Sequence, residues 1–278
     1  HLLATFDDVL AKGEGGLMGV AVDPAFNSNQ FIYACLSSTK GDIRVVRWKL
    51  DSHLNLSARN DIITNIPSNT VAEPGRHSGC QIAFGNDGYL WVGTGDTARG
   101  DIAIQSKSLG GKVLRVTRDG KAAANNLGGN FDPRIYSYGH RNIQGLAFFK
   151  SPKQDVPGLS IEHGSTVDDE VNELKSGNFG WAPPADGYDE SVPMTDKSRF
   201  PDAHEAIWSS GNPTQAPSGG AILNGSQWKG WDGALAMAML KGRHLKILTF
   251  DGGNKVLREE KILTGSYGRL RAVAQGPD

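Results

Sequence analysis

Short apolar or alternating runs recur along the chain: Val20–Val22, Phe31–Leu36, Ile43–Leu50, Ile82–Phe84, Tyr89–Gly93, Lys112–Val116 and Arg134–Tyr138. Turn formers bound them at Asp23-Pro24, Asn86-Asp87-Gly88, Arg118-Asp119-Gly120 and Asp132-Pro133. Strand side chains alternate between two faces, so this pattern predicts consecutive antiparallel strands. Long amphipathic helices are scarce. A weak repeat runs through the strands, with openings at Gly19–Pro24, Gln81–Gly88 and Gly145–Phe149. Their spacing of about 60 residues fits four-stranded propeller blades with generous loops. Ala221–Leu223 and Ala272–Asp278 read as later members. The chain stops at Gly276-Pro277-Asp278, where another turn and strand are expected. The fold expected is therefore all-β: a single β-propeller domain over residues 1–278, incomplete at both ends, with a truncated terminal blade.

Composition narrows the partners. The chain has 36 Gly and 13 Pro, which suits tight turns without low complexity. Hydrophobic residues at 38% and charged residues at 21% allow an ordinary core. A formal net charge of −1 and a pI of about 6.7 argue against nucleic acid or acidic membranes as partners. No stretch approaches the roughly 18 to 20 apolar residues of a membrane span. The chain begins with His1, so export cannot be read from a leader. Cys35 and Cys80 are the only cysteines, and neither sits in a C-x-x-C pair, which argues against zinc or thiol redox chemistry. A disulfide and two inert buried thiols both remain open.

Several loops are richer in chemistry than turns require. His77 lies in Arg76–Gln81, immediately before a strand, and Asp96 follows the strand pair of Tyr89–Gly95. A carboxylate bonded to one imidazole nitrogen leaves the other as a base, although Asp96 also suits an ordinary Asx-turn. Tyr138–Gly145 packs His140, Arg141 and Asn142 between glycines; this fits an oxygen-rich planar ligand or a loop-stabilising network. Glu162–Glu170 offers acids and Ser/Thr oxygens to a hard cation, without EF-hand spacing, or forms a solvated acidic loop. Arg269 and Arg271 fall on one face of an expected strand, shaped for a polyanionic ligand or for solvent.

Taken in order, these segments resemble the glucose/sorbosone dehydrogenases that use pyrroloquinoline quinone (PQQ), especially the aldose sugar dehydrogenase branch. The resemblance covers essentially the whole chain. It rests on Gly13–Gly19, Arg76–Gly79, Phe84–Gly88 with Gly93–Asp96, and Gly139–Asn142. It continues through Glu162–Gly164, Asp169–Asn172, Gly177–Trp181, Ala216–Gly219 and Arg269–Arg271. It implies a six-bladed β-propeller with PQQ over the central channel, and oxidation of an aldose at its anomeric hydroxyl. His77 would be the base, Asp96 its orienter, and Arg141 the group stabilising charge on the quinone oxygen. Asn142, Thr214, Lys241, Arg269 and Arg271 would hold the cofactor, with Glu14 at the substrate edge. Main-chain carbonyls of Gly164 and Ser165 would bind a catalytic Ca²⁺. Glu170 would serve a second Ca²⁺, with the Phe179 carbonyl and Asp189, Glu190 or Glu205 as further ligands.

The chain departs from the family pattern at Ser165 and Ile143, where Pro is usual, and at Glu14, where some members carry Gln. The resemblance further implies an external electron acceptor and a periplasmic or extracellular location. Two rival functions remain: a non-catalytic binding propeller, and a calcium-dependent lactonase-type hydrolase, for which no convincing acidic ligand set is visible.

Overall fold

A computed structural model describes residues 2–70, 73–153 and 155–276; Pro277 and Asp278, at the end of the last expected repeat, lie outside them. The described residues form four antiparallel sheets in chain order, with one parallel addition. The first comprises β1 (Leu17–Val22), β2 (Phe31–Ser37), β3 (Asp42–Leu50) and β4 (Leu56–Pro67), paired in that order. The second holds β5 (Gly79–Phe84), β6 (Leu90–Thr94), β7 (Lys112–Val116) and β8 (Ile135–Tyr138). The third is β9 (Ile143–Lys153), β10 (Val156–Glu162), β11 (Glu170–Glu173) and, after β12 (Gly177–Asn178), β13 (Trp208–Ser209). β12 crosses over to pair in parallel with β8, extending the second sheet. The fourth is β14 (Pro217–Ile222), β15 (Leu235–Met239), β16 (His244–Phe250) and β17 (Val256–Ile262).

The weak repeat marks the first strand of each sheet. These leading strands pack side by side, β1 on β5, β5 on β9 and β9 on β14. Small residues make that possible. A Cβ on Gly19 would lie 2.8 Å from the Cys80 carbonyl oxygen and 2.9 Å from the Ile82 nitrogen, so backbone meets backbone there. Apolar layers then fill the wedges between neighbouring sheets. Tyr33, Val45 and Ile63 meet Ile82, Val92 and Leu114 between the first and second. Trp91 and Val113 meet Ile143 and Leu146 between the second and third. Leu159, Ile161 and Trp208 meet Leu235, Met237 and Leu248 between the third and fourth.

Two expectations need correction. Arg269–Arg271 is not a strand, and neither is the opening at Ala272: beyond Ile262 the described residues are irregular. This segment lies along β14 without joining a ladder. It is held by scattered bonds: Ser218 Oγ donates to the Leu270 carbonyl (3.0 Å), the Asn224 amide donates to Gln275 Oε1 (2.7 Å), and Gln275 Nε2 donates to the Asn224 carbonyl (2.7 Å). Alternation has no force where no neighbouring strand enforces the pleat. The acidic stretch is also no free loop, because Glu162 and Glu170 face each other across the β10–β11 ladder.

Cys35 on β2 and Cys80 on β5 form a disulfide, which settles the question the sequence left open and ties the first sheet to the second. It closes a loop of 45 residues. Cross-linking a loop of that length stabilises by about 4 kcal/mol in the chain-entropy estimate. Urea unfolding of the Cys35→Ala/Cys80→Ala protein should show a midpoint lowered to match, with the slope in denaturant nearly unchanged; an unshifted midpoint would deny the bond its stabilising role.

Candidate active site

Three loops converge beside the leading strands. The first, ahead of β5, carries His77 in the left-handed region at φ 49°. The second, after β6, carries Asp96; the third, between β8 and β9, carries Arg141 and Asn142. They lock at Gly95, which bridges to Asn142. A Cβ there would fall 1.9 Å from the His77 carbonyl oxygen and 2.9 Å from Asn142 Oδ1, so only glycine fits. The Asp96 amide donates to the Arg141 carbonyl (2.8 Å), and the Thr97 amide to that of His77 (3.3 Å).

Asp96 is fully buried and His77 is 4% exposed. His77 Nδ1 lies 2.8 Å from Asp96 Oδ1, which also accepts the Ala98 amide at 2.9 Å. Asp96 Oδ2 accepts from Trp181 Nε1 (2.6 Å) and from the Tyr188 hydroxyl (2.7 Å). The indole and the amide can only donate, one to each oxygen, so Asp96 is arranged as an acceptor. His77 Nδ1 therefore carries its proton, and Nε2 is left with the free lone pair.

Arg141 is also buried. Its guanidinium donates to the His163 carbonyl (3.1 Å) and to Glu190, whose other oxygen takes Arg76 at 2.5 Å. The two guanidiniums hold the Glu190 carboxyl below its usual range, against the opposing effect of its burial. The Arg141 backbone amide donates to Glu162 Oε2 (2.9 Å). His163 stands next to this cation. Burial, with Arg141 and His77 adding to it, pushes its imidazole down to about 4 against the pull of Asp169. It is therefore neutral near pH 7. His163 Nε2, Arg141 Nε and Gln215 Oε1 are shielded from solvent and have no partner among the described residues.

Glu14 joins the cluster, accepting from the His77 amide and from Asn142 Nδ2, both at 3.2 Å. Asn142 Oδ1 accepts from the Gly79 amide (3.0 Å) and from Gln144 Nε2 (3.2 Å). Gln144 Oε1 in turn accepts from Arg271 (3.1 Å), which also donates to the Ser218 carbonyl at 2.5 Å. Arg271 thus reaches the site through one amide, whereas Arg269 is exposed and does not join it. Thr214 and Lys241 line a separate cavity of about 560 Å³. Thr214 is tied back through Asp169, which takes its hydroxyl (2.5 Å) and the Gly164 amide (3.1 Å). The Gly164 and Ser165 carbonyls accept no hydrogen bond from the described residues.

Glu170 stands apart from this cluster. It accepts from Asn172 (3.1 Å) and Thr195 (3.1 Å), and Asn172 also donates to Glu162 (2.8 Å). Burial, then the Glu162 charge, pushes the Glu170 carboxyl up to about 8. The acids expected beside it are engaged elsewhere: Glu190 on the two arginines, Asp189 in its own turn with Ser191, and Glu205 at 3.9 Å from Lys197. The segment after Trp181 brings Tyr188 to His77 and Asp96, and only its Thr195 reaches Glu170.

Sequence reasoning missed Tyr188, gave Trp181 no role, and passed over Gln144 and Lys112. Lys112 is fully buried and donates to the carbonyls of Ile102, Ala103 and Gly110 at 2.9, 2.9 and 2.6 Å. It staples the loop that starts at Asp96. Burial pushes its amine down to about 7 against the attraction of Asp96. Trp181 lay within a recognisable motif, but a lone Tyr in a Gly/Pro/Asp-rich loop gives no local signal.

Fold and site define an all-β protein with a buried His–carboxylate pair where its loops converge. A family profile described as glucose/sorbosone dehydrogenase matches residues 1–278. The chain belongs to that family, and with it to the oxidoreductases. It is 29% identical to an aldose sugar dehydrogenase of Escherichia coli (strain K12), over 99% of this chain and 76% of that one. It is 28% identical to quinoprotein glucose dehydrogenase B of Acinetobacter calcoaceticus, over 79% of this chain and 51% of that one. Among solved structures, the PQQ-bound aldose sugar dehydrogenase of Streptomyces coelicolor superposes with a TM-score of 0.81 at 34% identity, covering 98% of this chain and 74% of that one.

Gly95 gives this arrangement a direct check. Gly95→Ala should destabilise by roughly 1–3 kcal/mol through overpacking against backbone, read as a lowered melting temperature. Gly252→Ala, with nothing within 4 Å of the added Cβ, should melt like the parent. Equal melting of both variants would mean that the loops do not meet as described.

Proposed function

We propose that the chain oxidises the anomeric hydroxyl of aldose sugars with PQQ as its two-electron acceptor and His77 as general base. The observation that carries this reading is the His77–Asp96 pair, with Nδ1 held by Asp96 at 2.8 Å and Nε2 free, within a cluster that includes Arg141 and Asn142. The surroundings suit an oxygen-rich tricarboxylate. Arg141 Nε, His163 Nε2 and Gln215 Oε1 lack partners in dry positions, as groups awaiting a ligand would. Arg141, Asn142 and Arg271 would hold the cofactor. When bound, PQQ supplies an ortho-quinone that accepts the hydride from the anomeric carbon.

The chain's own residues do the rest. His77 Nε2 takes the proton of the anomeric hydroxyl, and buried, ionised Asp96 stabilises the imidazolium that results. Arg141 places permanent positive charge where an oxyanion develops. Glu14, bonded to the His77 amide and to Asn142, marks the substrate edge. The unbonded Gly164 and Ser165 carbonyls are suitable hard donors for Ca²⁺. Glu170, kept largely protonated near neutral pH by burial, would be a ligand of a second Ca²⁺, whose charge would offset its ionisation. Among the described residues no three His, Cys, Asp or Glu side chains are grouped to hold a metal.

A six-bladed ring is the architecture this reading implies. Its support is the apolar face of β1, where Leu17, Val20 and Val22 are 50%, 59% and 57% exposed, as a face meant to meet another sheet would be. The disulfide favours an oxidising, periplasmic or extracellular setting. No helix of the described residues is long and apolar enough to cross a membrane. Electrons would pass on to an external acceptor.

With PQQ and Ca²⁺, the protein should reduce an artificial dye on addition of glucose; no dye reduction and no change in quinone absorbance would refute the reading. His77→Ala should lose about 10²–10⁴-fold in kcat while still binding the quinone, as followed by its absorbance.

A further inference from the structure

The segment between β12 and β13 passes over the His77–Asp96 pair and brings two side chains to it. Glu190 bridges Arg76 and Arg141. Tyr188 touches both members of the pair, with its hydroxyl 2.7 Å from Asp96 Oδ2 and 3.0 Å from His77 Nδ1. Its ring packs edge-on against His77 at 5.7 Å between centroids, and Arg76 lies 5.4 Å from the ring. We infer that Tyr188 is a positioning residue that sets the strength of the His77 base by donating its only proton to Asp96. This inference rests on the proposed role of His77.

The direction of the proton follows from counting donors. Nδ1 already holds a proton aimed at Asp96 Oδ1, so it offers the phenol no lone pair. Asp96 Oδ2 is charged and nearer, and bonds to charged acceptors are about twice as strong as neutral ones. Burial, then the Asp96 charge, holds the phenol far above the usual tyrosine range, so it stays a donor at any working pH. A donor on Oδ2 drains charge that would otherwise stabilise imidazolium through Oδ1. Tyr188 therefore makes His77 easier to deprotonate. Trp181 Nε1, on the same oxygen at 2.6 Å, acts in the same sense. The charged and titratable groups around the imidazole are Asp96, Glu14, Glu190, Arg76, Arg141 and His163, and removing one hydroxyl leaves all of them in place.

The test uses the cofactor-free protein. The His77 ring nitrogens are followed across pH by ¹⁵N NMR and assigned by their loss in His77→Gln. Tyr188→Phe keeps the ring and removes the hydroxyl. Its His77 titration midpoint should lie about half to one pH unit above the parent's. Trp181→Phe should move it the same way. In an Asp96→Asn background Tyr188→Phe should move it little, because the path runs through that carboxylate. An unmoved midpoint in Tyr188→Phe, or an equal shift with and without Asp96, would overturn the inference. In the loaded enzyme the acid limb of kcat/KM should move by the same amount; a uniform loss of rate at every pH, with the limb unmoved, would reduce Tyr188 to a structural role. If the parent reduces no dye, the dehydrogenase reading fails, while the NMR result still decides whether Tyr188 tunes His77.

Discussion

Burying the Asp96 charge is the constraint around which the site is assembled. An ionised carboxylate taken fully out of water is tolerated only when its lone pairs are met by donors. Here the donors come from four places in the chain: His77 before β5, Ala98 in its own loop, Trp181 after β12 and Tyr188 further along the same crossing segment. The Asp96 amide adds a bond to Arg141. Each segment is thereby fixed in relation to the others. Removing any one donor would leave a charged oxygen short of partners, so the same bonds serve folding and chemistry together.

The sheets make this convergence possible. Each of the first three begins with a strand packed against the leading strand of the next sheet, and the wedge-shaped apolar cores hold successive sheets in place. The loops that enter or leave those strands then meet near one another although they are far apart in sequence. Glu14, His77, Asp96, Asn142 and Arg271 all lie close to such strand ends. Glycine at positions 19 and 95 permits approaches that any side chain would block.

Charge is distributed with equal economy. Arg141 is balanced by Glu190 at its tip and has Glu162 at its backbone amide, so a buried cation keeps close partners on both sides. Beside it His163 is driven neutral, while Glu170 is driven toward its protonated form by burial and the nearby Glu162. Lys112, deep under the Asp96 loop, is satisfied by three carbonyls in place of a carboxylate. His163 beside Arg141 and Lys112 beneath the Asp96 loop lie near the His77–Asp96 pair, as expected of a site built for ligand chemistry, whereas Glu170 stands apart from it.

Much of this was legible in the sequence. Period-two patterning and turn residues located β1 to β3 and β5 to β8, because a strand with one buried face must alternate and a turn needs residues that tolerate its dihedrals. The small-residue openings marked all four leading strands, since close backbone packing demands small side chains there. Ordered motifs picked out His77, Asp96, Arg141 and Asn142 together. Tertiary structure decided the rest. It paired Cys35 with Cys80, left Arg269–Arg271 without a ladder, carried Glu190 to the arginines in place of Glu170, and brought Tyr188 onto Asp96. Those outcomes depend on where distant segments meet, and local patterning constrains a residue only through its neighbours in the chain. The long segment after Trp181 has little periodicity of its own, so its path was set by the buried charge it had to satisfy.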